Sequence, residues 1–299
     1  MTLTQIKLLI EIYKSGFNLS EATEKMHVVQ SAGSRQLKLL EEELGFPVFM
    51  RKGQRLIGFT QVGEKVFEQA KQICMAEHNI KRIVETMQSQ DEGCIRLGTT
   101  HTQARYILPS VLEQFILTHP KIKLHIEESS PENLYHFLKL DKIDVAICSE
   151  LISKQDDLVS GKAYNWEHVL IAPHHHPIWD TDLSLRNCLH FPILSYMKGF
   201  THSDKVLQAF RKIDEGFEFD IVASDADVIK TYVKKDFGLG VIAQMAFEEE
   251  DKQHFKCVPL GHQVGKSATY YAHLSKRYLP PYLDDFISLF LQTVLQRFG

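Results

Sequence analysis

The stretch that most constrains this chain is Asn18–Phe49, where two short helical patterns are separated by only three residues, His27-Val28-Val29. Asn18 followed by Glu21 has capping-box spacing and opens a helix through Met26. A second helix is expected from Gln30 to Leu44, stopped by Gly45. On it Leu37, Leu40 and Leu44 recur at core spacing, while Ser31, Ser34, Arg35 and Lys38 fall at i, i+3, i+4 and i+7 and share a solvent-facing stripe. Hydroxyls and cations on one stripe, with Gln30 at its amino end, suit a helix lying in the DNA major groove. An ordinary helical pair with a solvated face has the same periodicity, so the flanking segments decide.

Those segments favour DNA. Val48–Thr60 reads as two short strands around Lys52-Gly53-Gln54, a small wing with Arg51, Lys52 and Arg55 placed for phosphates. Ile6, Leu9, Ile10 and Tyr13 give a preceding scaffold helix one apolar stripe. After the wing, Thr60 caps a long helix reaching about Gln90, with Val62, Val66, Ala70, Ile73, Ile80, Val84 and Met87 along it at steps near 3.5. A seam of that period favours pairing with another helix.

The basic signal is local. Across 299 residues the net charge is -4, and residues 1–60 carry eight Lys/Arg against six Asp/Glu, so phosphate contacts must come from few side chains. Five scattered cysteines (Cys74, Cys94, Cys148, Cys188, Cys257) never form a C-x-x-C pair and read as reduced thiols. No signal peptide opens the sequence and no apolar run is long enough to cross a bilayer, which gives a cytoplasmic expectation.

Ser89-Gln90-Asp91-Glu92-Gly93 reads as a hinge, after which strand and helix alternate. Cys94–Thr99, Lys123–Glu128 and Val145–Cys148 are expected strands, with helices over Ala104–Leu117 and Glu132–Leu140, a pattern that implies a parallel sheet. A second run covers Val169–Ala172, Ile193–Tyr196, Lys205–Lys212, Glu218–Val222, Val228–Lys235 and Gly240–Ile242. The tail returns through Ala268–His273 and an amphipathic helix over Pro281–Phe298. Two such lobes leave a cleft, and ligands in these sheets sit beyond strand carboxyl ends.

The densest chemistry lies at one strand end, Thr99-Thr100-His101-Thr102-Gln103-Ala104-Arg105-Tyr106, where hydroxyls and a carboxamide meet the start of a helix. Free N–H groups and neutral donors there suit a fully ionised oxyanion such as sulfate. Lys198-Gly199-Phe200-Thr201-His202-Ser203 is a second polar loop, and Ser149 follows the strand ending at Cys148. Helix capping explains any one of these residues, but less well three strand ends converging on one cleft.

The run through Thr60-Gln61-Val62-Gly63 resembles the LysR-type transcriptional regulators over essentially the whole chain. Thr99–Tyr106 and Asp225-Ala226-Asp227-Val228-Ile229-Lys230-Thr231-Tyr232-Val233 are similar to the CysB-type subgroup that regulates sulfur assimilation. The resemblance implies an N-terminal all-α winged helix-turn-helix over residues 1–60, a linker helix over 61–90 that dimerises, and a C-terminal α/β bilobal, periplasmic-binding-protein-like effector domain over 91–299. Lobe 1 would span about 91–162 and 267–299, and lobe 2 about 163–266. It further implies Thr100, Thr102, Gln103, Ser149, Trp166 and Thr201 as effector contacts for sulfate, thiosulfate or an acetylserine. Operator DNA, further copies of the chain up to a homotetramer and RNA polymerase are the implied partners, without membrane, cofactor, metal or catalytic residue.

Two departures stand out. Val29 occupies a position where the family usually has Ser or Thr, and Gly33 replaces a β-branched apolar residue on the core face, with an expected loss of packing and about 1 kcal/mol of helix propensity. Elsewhere plainer readings prevail. His174-His175-His176-Pro177 reads as a polar turn rather than a metal tract, Asp225 and Asp227 as helix-capping residues, and Glu248-Glu249-Glu250-Asp251 as a solvated loop. Arg105 and Lys230 either lend charge to the cleft or pair with neighbours. An enzyme on the same bilobal fold would need a nucleophile elbow, phosphate loop or metal motif, and none is present in the sequence. A solute-binding protein would not need the first 60 residues, whereas a regulator of another pathway, answering to a different small anion, shares every feature but the subgroup motifs.

Overall fold

In the computed structural model, which describes residues 1–88 and 92–298, the chain divides into two units, Met1–Met87 with Lys276–Tyr278 and Gln88–Ser275 with Leu279–Gly299. The first unit contains α1 (Leu3–Lys14), α2 (Leu19–Lys25), α3 (Gln30–Leu44), the paired strands β1 (Phe49–Lys52) and β2 (Arg55–Phe59), and the long α4 (Gln61–Gln88). Thr2 and Gln5 form a reciprocal capping box on α1. At α2 the box is only half made: Asn18 Oδ1 accepts the Glu21 N–H at 3.2 Å, but the Glu21 carboxylate turns to Lys25 at 2.7 Å. Gly45 ends α3 in the left-handed region at φ 72°. Ile6, Leu9, Ile12, Leu37 and Leu40 are buried together. Around them the rings of Tyr13, Phe17, Phe49, Phe59 and Phe67 meet at centroid distances of 4.6 to 6.1 Å.

Two glycines in this unit are there for close approach. A Cβ on Gly63 would stand 1.9 Å from the Val48 carbonyl oxygen, while the Gly63 N–H bonds the Thr60 hydroxyl at 2.9 Å. The Thr60-Gln61-Val62-Gly63 run therefore caps α4 and lets it abut the wing. A Cβ on Gly33 would lie 2.2 Å from the Thr23 methyl. This corrects the expectation that Gly33 costs α3 its packing: Thr23, buried with its hydroxyl bonded to the Leu19 and Ser20 carbonyls, fills that volume from α2.

The second unit continues with β3 (Gly93–Thr99), α5 (His101–Tyr106), α6 (Leu108–Thr118), β4 (Ile122–Glu128), α7 (Pro131–Lys139), β5 (Val145–Ser149) and β6 (Leu158–Trp166). Then come β7 (His168–Pro173), α8 (Leu185–Cys188), β8 (Ile193–Tyr196), α9 (Ser203–Arg211), β9 (Ile221–Ala223), α10 (Ala226–Val233) and β10 (Leu239–Ala243). It closes with β11 (Phe255–Pro259), α11 (Gly261–Val264), β12 (Ser267–Leu274) and α12 (Pro281–Phe298). The single helix expected over Ala104–Leu117 is two, broken at Ile107, because Pro109 has no N–H for the Arg105 carbonyl. Of the expected hinge, Ser89, Gln90 and Asp91 lie outside the described residues.

One five-stranded sheet has the order β4-β3-β5-β12-β6, the other β11-β7-β10-β8-β9. β3 runs parallel to β4 and β5, as the strand–helix alternation implies, whereas β12 is antiparallel to β5 and β6, which makes the sheet mixed. In the other sheet β8 is parallel to β9 and β10, and β7 antiparallel to β10 and β11. The chain crosses between the sheets at Trp166–His168 and returns after Pro259, so the carboxyl ends of β3 and β5 face material from both. No helix among the described residues is long and apolar enough to cross a membrane.

Candidate functional site

On the first unit, Gln30, Ser31, Ser34, Arg35 and Lys38 of α3 are all exposed, as are Arg51, Lys52 and Arg55 of the wing. The amino end of α3 lacks a side-chain cap because Val29 offers no acceptor, leaving its first N–H groups to solvent or a ligand. Two of the cations are partly engaged. Lys38 lies 3.6 Å from Glu42, and Arg51 Nη2 donates to Glu41 Oε2 at 2.8 Å. Glu41 also accepts the Val48 and Phe49 N–H groups at 2.8 and 3.2 Å, so it straps α3 to the wing, a role with no periodic signature in the sequence. Along α4 the expected seam divides. Val66 and Ala70 join the core of their own unit, while Ile73, Ile80, Ile83, Val84 and Met87 are exposed.

The second unit brings the six expected cleft residues together. Thr100, Thr102, Gln103, Ser149, Trp166 and Thr201, with Pro131 and Thr269, line one small cleft. β3 delivers Thr100 to the N-cap of α5, and the Thr99 hydroxyl pins that strand end to the Ile147 carbonyl at 3.0 Å. Thr102 meets Thr201 across the cleft, hydroxyl to hydroxyl at 3.3 Å. Gln103 is fixed at both ends of its amide: Tyr164 donates to its Oε1 at 2.8 Å and its Nε2 donates to Thr269 at 3.3 Å. Two hydroxyls thus hold the Gln103 amide in place. Burial pushes the Tyr164 phenol up to about 12, which keeps it a donor. Tyr164 and Thr269 were not expected in the site. Their signal was the pairing of β12 with β5 and β6, which sets Thr269 opposite both Ser149 and Tyr164.

Every residue lining the cleft is uncharged. The amino ends of α5, α7 and α9 reach it through Thr100, Pro131 and Thr201, so backbone N–H groups and hydroxyls are the donors on offer. The loop into α9 is strained, with Gly199, Thr201 and His202 all in the left-handed region at φ 84°, 46° and 52°. His168 Nε2–H donates to the Thr201 carbonyl at 2.9 Å and holds that loop, and burial lowers the His168 pKa to about 4. The Trp166 indole N–H, buried at the cleft wall, has no hydrogen-bond partner among the described residues.

Behind α5 lies a charged latch. Tyr106 donates to Asp227 Oδ1 at 2.7 Å, and Arg105 approaches the same carboxylate at 3.7 Å. Burial works against ionisation of Asp227, but the Tyr106 hydrogen bond and the Lys230 and Arg105 charges outweigh it and lower its pKa. Asp225 caps α10 by accepting the Val228 N–H at 2.9 Å. Lys230 pairs with Asp251 at 3.0 Å, so Asp251 belongs to a partly buried ion pair and not to a solvated loop, which corrects that expectation. Arg105 and Lys230 thus serve neighbours rather than the cleft. His101, Asp225 and Asp227 bring possible ligand atoms within 4.8 Å of one another, but Lys230 and Arg105 already compensate the charge there. The histidines of the 174–176 run diverge: His174 to the Lys252 carbonyl, His175 to Asp236, His176 to the Ile178 N–H.

Two family models match the chain. Residues 3–64 match the bacterial regulatory helix-turn-helix proteins of the lysR family, and residues 88–294 match the LysR substrate binding domain. The chain is 32% identical over 291 residues to the HTH-type transcriptional regulator SsuR of Burkholderia cenocepacia, covering 97% of this chain and 94% of that protein. It is 33% identical over 297 residues to the HTH-type transcriptional regulator CysB of the same organism, covering 98% and 94% respectively. Among solved structures, the cofactor-binding domain of the Cbl transcriptional regulator superposes with a TM-score of 0.62 at 28% identity, covering 69% of this chain and 93% of that one.

Proposed function

This chain belongs to the LysR family of bacterial regulatory helix-turn-helix proteins, and from that premise we propose that it is a cytoplasmic, effector-responsive transcriptional regulator of sulfur and cysteine metabolism genes. It is a DNA-binding regulator and not an enzyme. Residues 1–60 read an operator through Gln30, Ser31, Ser34, Arg35 and Lys38, with Lys52 and Arg55 on phosphates and Arg51 divided between phosphate and Glu41. Residues 61–90 pair copies of the chain through the exposed apolar stripe of α4, and residues 91–299 hold the effector.

The observation that carries the effector reading is the convergence of hydroxyl, carboxamide and indole groups on one small uncharged cleft at the carboxyl ends of β3 and β5. Neutral donors bind a fully ionised oxyanion without needing a proton acceptor. Because Thr102 follows β3 of one sheet and Thr201 follows β8 of the other, a ligand that replaces their mutual contact changes how the lobes close.

Thermal unfolding of the full chain against sulfate, thiosulfate, O-acetylserine, N-acetylserine and phosphate tests this. A ligand at 100 times its dissociation constant adds about 2.7 kcal/mol, a readily measured shift. A shift with a sulfur oxyanion or acetylserine, lost in Thr102→Ala, is the expected result. A shift with none of them would overturn the sulfur assignment while leaving DNA binding intact.

A further inference from the structure

Beside the cleft, His202 is held in an unusual state. Its backbone sits at φ 52° directly after Thr201 at φ 46°, two non-glycine residues in a row in a region that costs conformational energy. That backbone turns the imidazole inward, leaving its side chain only 8% exposed. Both ring nitrogens are buried and neither has a hydrogen-bond partner among the described residues. The nearest carboxylate oxygen, on Glu150, is 3.7 Å away, beyond hydrogen-bond reach, and Glu150 is itself paired with Lys205 at 3.3 Å. The ring packs 5.6 Å from that of Trp166, the cleft wall whose own N–H is unpartnered. An unpaired buried imidazole on a strained loop is a cost that packing alone does not explain.

The cleft supplies a reason. Its lining is uncharged, so a dianion entering it would meet donors but no countercharge. We propose that His202 is the charge-supplying residue of the cleft, neutral in the unliganded protein and converted to imidazolium when a dianion such as sulfate binds. This rests on the effector reading above and adds a regulation to it: binding takes up one proton from solvent, and the affinity for a dianion depends on pH. The imidazolium would lie 5.6 Å from the Trp166 ring, whose quadrupole favours a cation, and 3.7 Å from the Glu150 carboxylate.

The surrounding charges leave the decision to the ligand. Glu150 follows β5 and Asp204 lies in α9, both negative, while Lys154 and Lys205 on the same two segments are positive, and His168 faces the ring from β7. Two charges of each sign nearly cancel, and burial dominates, holding His202 down at about 4. A dianion in the cleft, which Trp166 lines 5.6 Å from the imidazole, would raise that value. Affinity would then be highest at low pH and weaken by up to about tenfold per unit as pH rises through the window between the free and bound pKa values.

Calorimetric titration of the full chain with sulfate, in buffers of different ionisation enthalpy from pH 5.5 to 8, reads the proton count directly. The expected result is uptake approaching one proton per sulfate at the acid end, with affinity falling as pH rises. In His202→Asn, which keeps a polar side chain, uptake should vanish and sulfate affinity should become independent of pH. Sulfate binding to the unaltered chain without proton uptake would overturn the proposal yet leave the cleft as an anion site. Uptake that persists in His202→Asn would overturn it in favour of His168. Absence of sulfate heat at every pH would remove the oxyanion reading of the cleft together with this one.

Discussion

The two polar surfaces of this molecule use nearly the same side chains to opposite ends. On α3, Gln30, Ser31 and Ser34 stand exposed, with Arg35 and Lys38 beside them. In the cleft, Thr100, Thr102 and Gln103 are buried, and Thr102, Gln103, Thr201 and Thr269 bond to one another or to Tyr164. Residue type alone therefore does not separate the proposed nucleic-acid face from the proposed small-molecule site; the backing does. Helix α3 rests on aromatic and aliphatic packing and keeps its polar groups outside. The cleft turns polar groups inward, where each needs a partner and where ionisable neighbours lose charge.

If that contrast is right, acid should injure the second unit first. His168 is fully buried and titrates near 4, against 6.5 when exposed. Between those values the unfolded chain binds the extra proton, so folding stability falls as pH drops from 6.5 towards 4, by on the order of 3 kcal/mol. His202, lowered by burial in the same way, adds to the slope. Denaturant unfolding monitored separately for the two units across that range should show the second losing stability, and His168→Gln should flatten the profile. An equal loss from both units would erase the contrast.

The first unit should instead be sensitive to shape. Gly33→Ala places a methyl against the Thr23 methyl, and overpacking of that kind costs about 1–3 kcal/mol. Propensity alone argues the reverse, a gain of about 1 kcal/mol for removing a helical glycine. Urea unfolding decides between them, and Thr23→Ser, which deletes the offending methyl and keeps the hydroxyl, should restore most of the loss in the double variant. A stabilised Gly33→Ala would show that α2 and α3 are less tightly joined than the 2.2 Å approach requires.

How far the sequence reached follows the same divide. Helices set by caps and periodicity, such as α3 ending at Gly45, were legible, and so were strand-end hydroxyls, because the β–α alternation fixes where strand ends go. What stayed hidden depends on partners far along the chain. Thr269 bonds Gln103 across 166 residues, and Gly33 is explained only by the methyl of Thr23 on another helix. The break at Ile107 was legible in principle from Pro109, but the apolar period running through it masked the missing donor. Asp251 looked solvated because its charge run carries no sign of Lys230.

Function should divide along the same line. Arg35→Ala should weaken operator binding by about 1–3 kcal/mol with little change in effector-induced thermal shift, and Thr102→Ala should do the opposite. Paired binding and unfolding measurements on both variants check this. Equal losses in both assays would mean that the two surfaces are not separable.

The smallest effect lies within the wing, where neighbouring cations differ in what they are tied to. Lys52 and Arg55 are exposed and project from the two strands, whereas Arg51 shares the Glu41 carboxylate that also holds the Val48 and Phe49 N–H groups. A lysine on phosphate contributes about one unit to the slope of log affinity against log salt, so Lys52→Ala should reduce that slope by about one and leave sequence preference unchanged. Arg51→Ala should change the slope less, because its charge is already partly neutralised. Its effect should appear instead as a slight loosening of the wing, below about 1 kcal/mol, as for other exposed ion pairs. Salt titrations of operator affinity for both variants distinguish the two. If Arg51→Ala lowers the slope as much as Lys52→Ala, the Glu41 strap opens on DNA, and the wing is rebuilt on binding rather than preset.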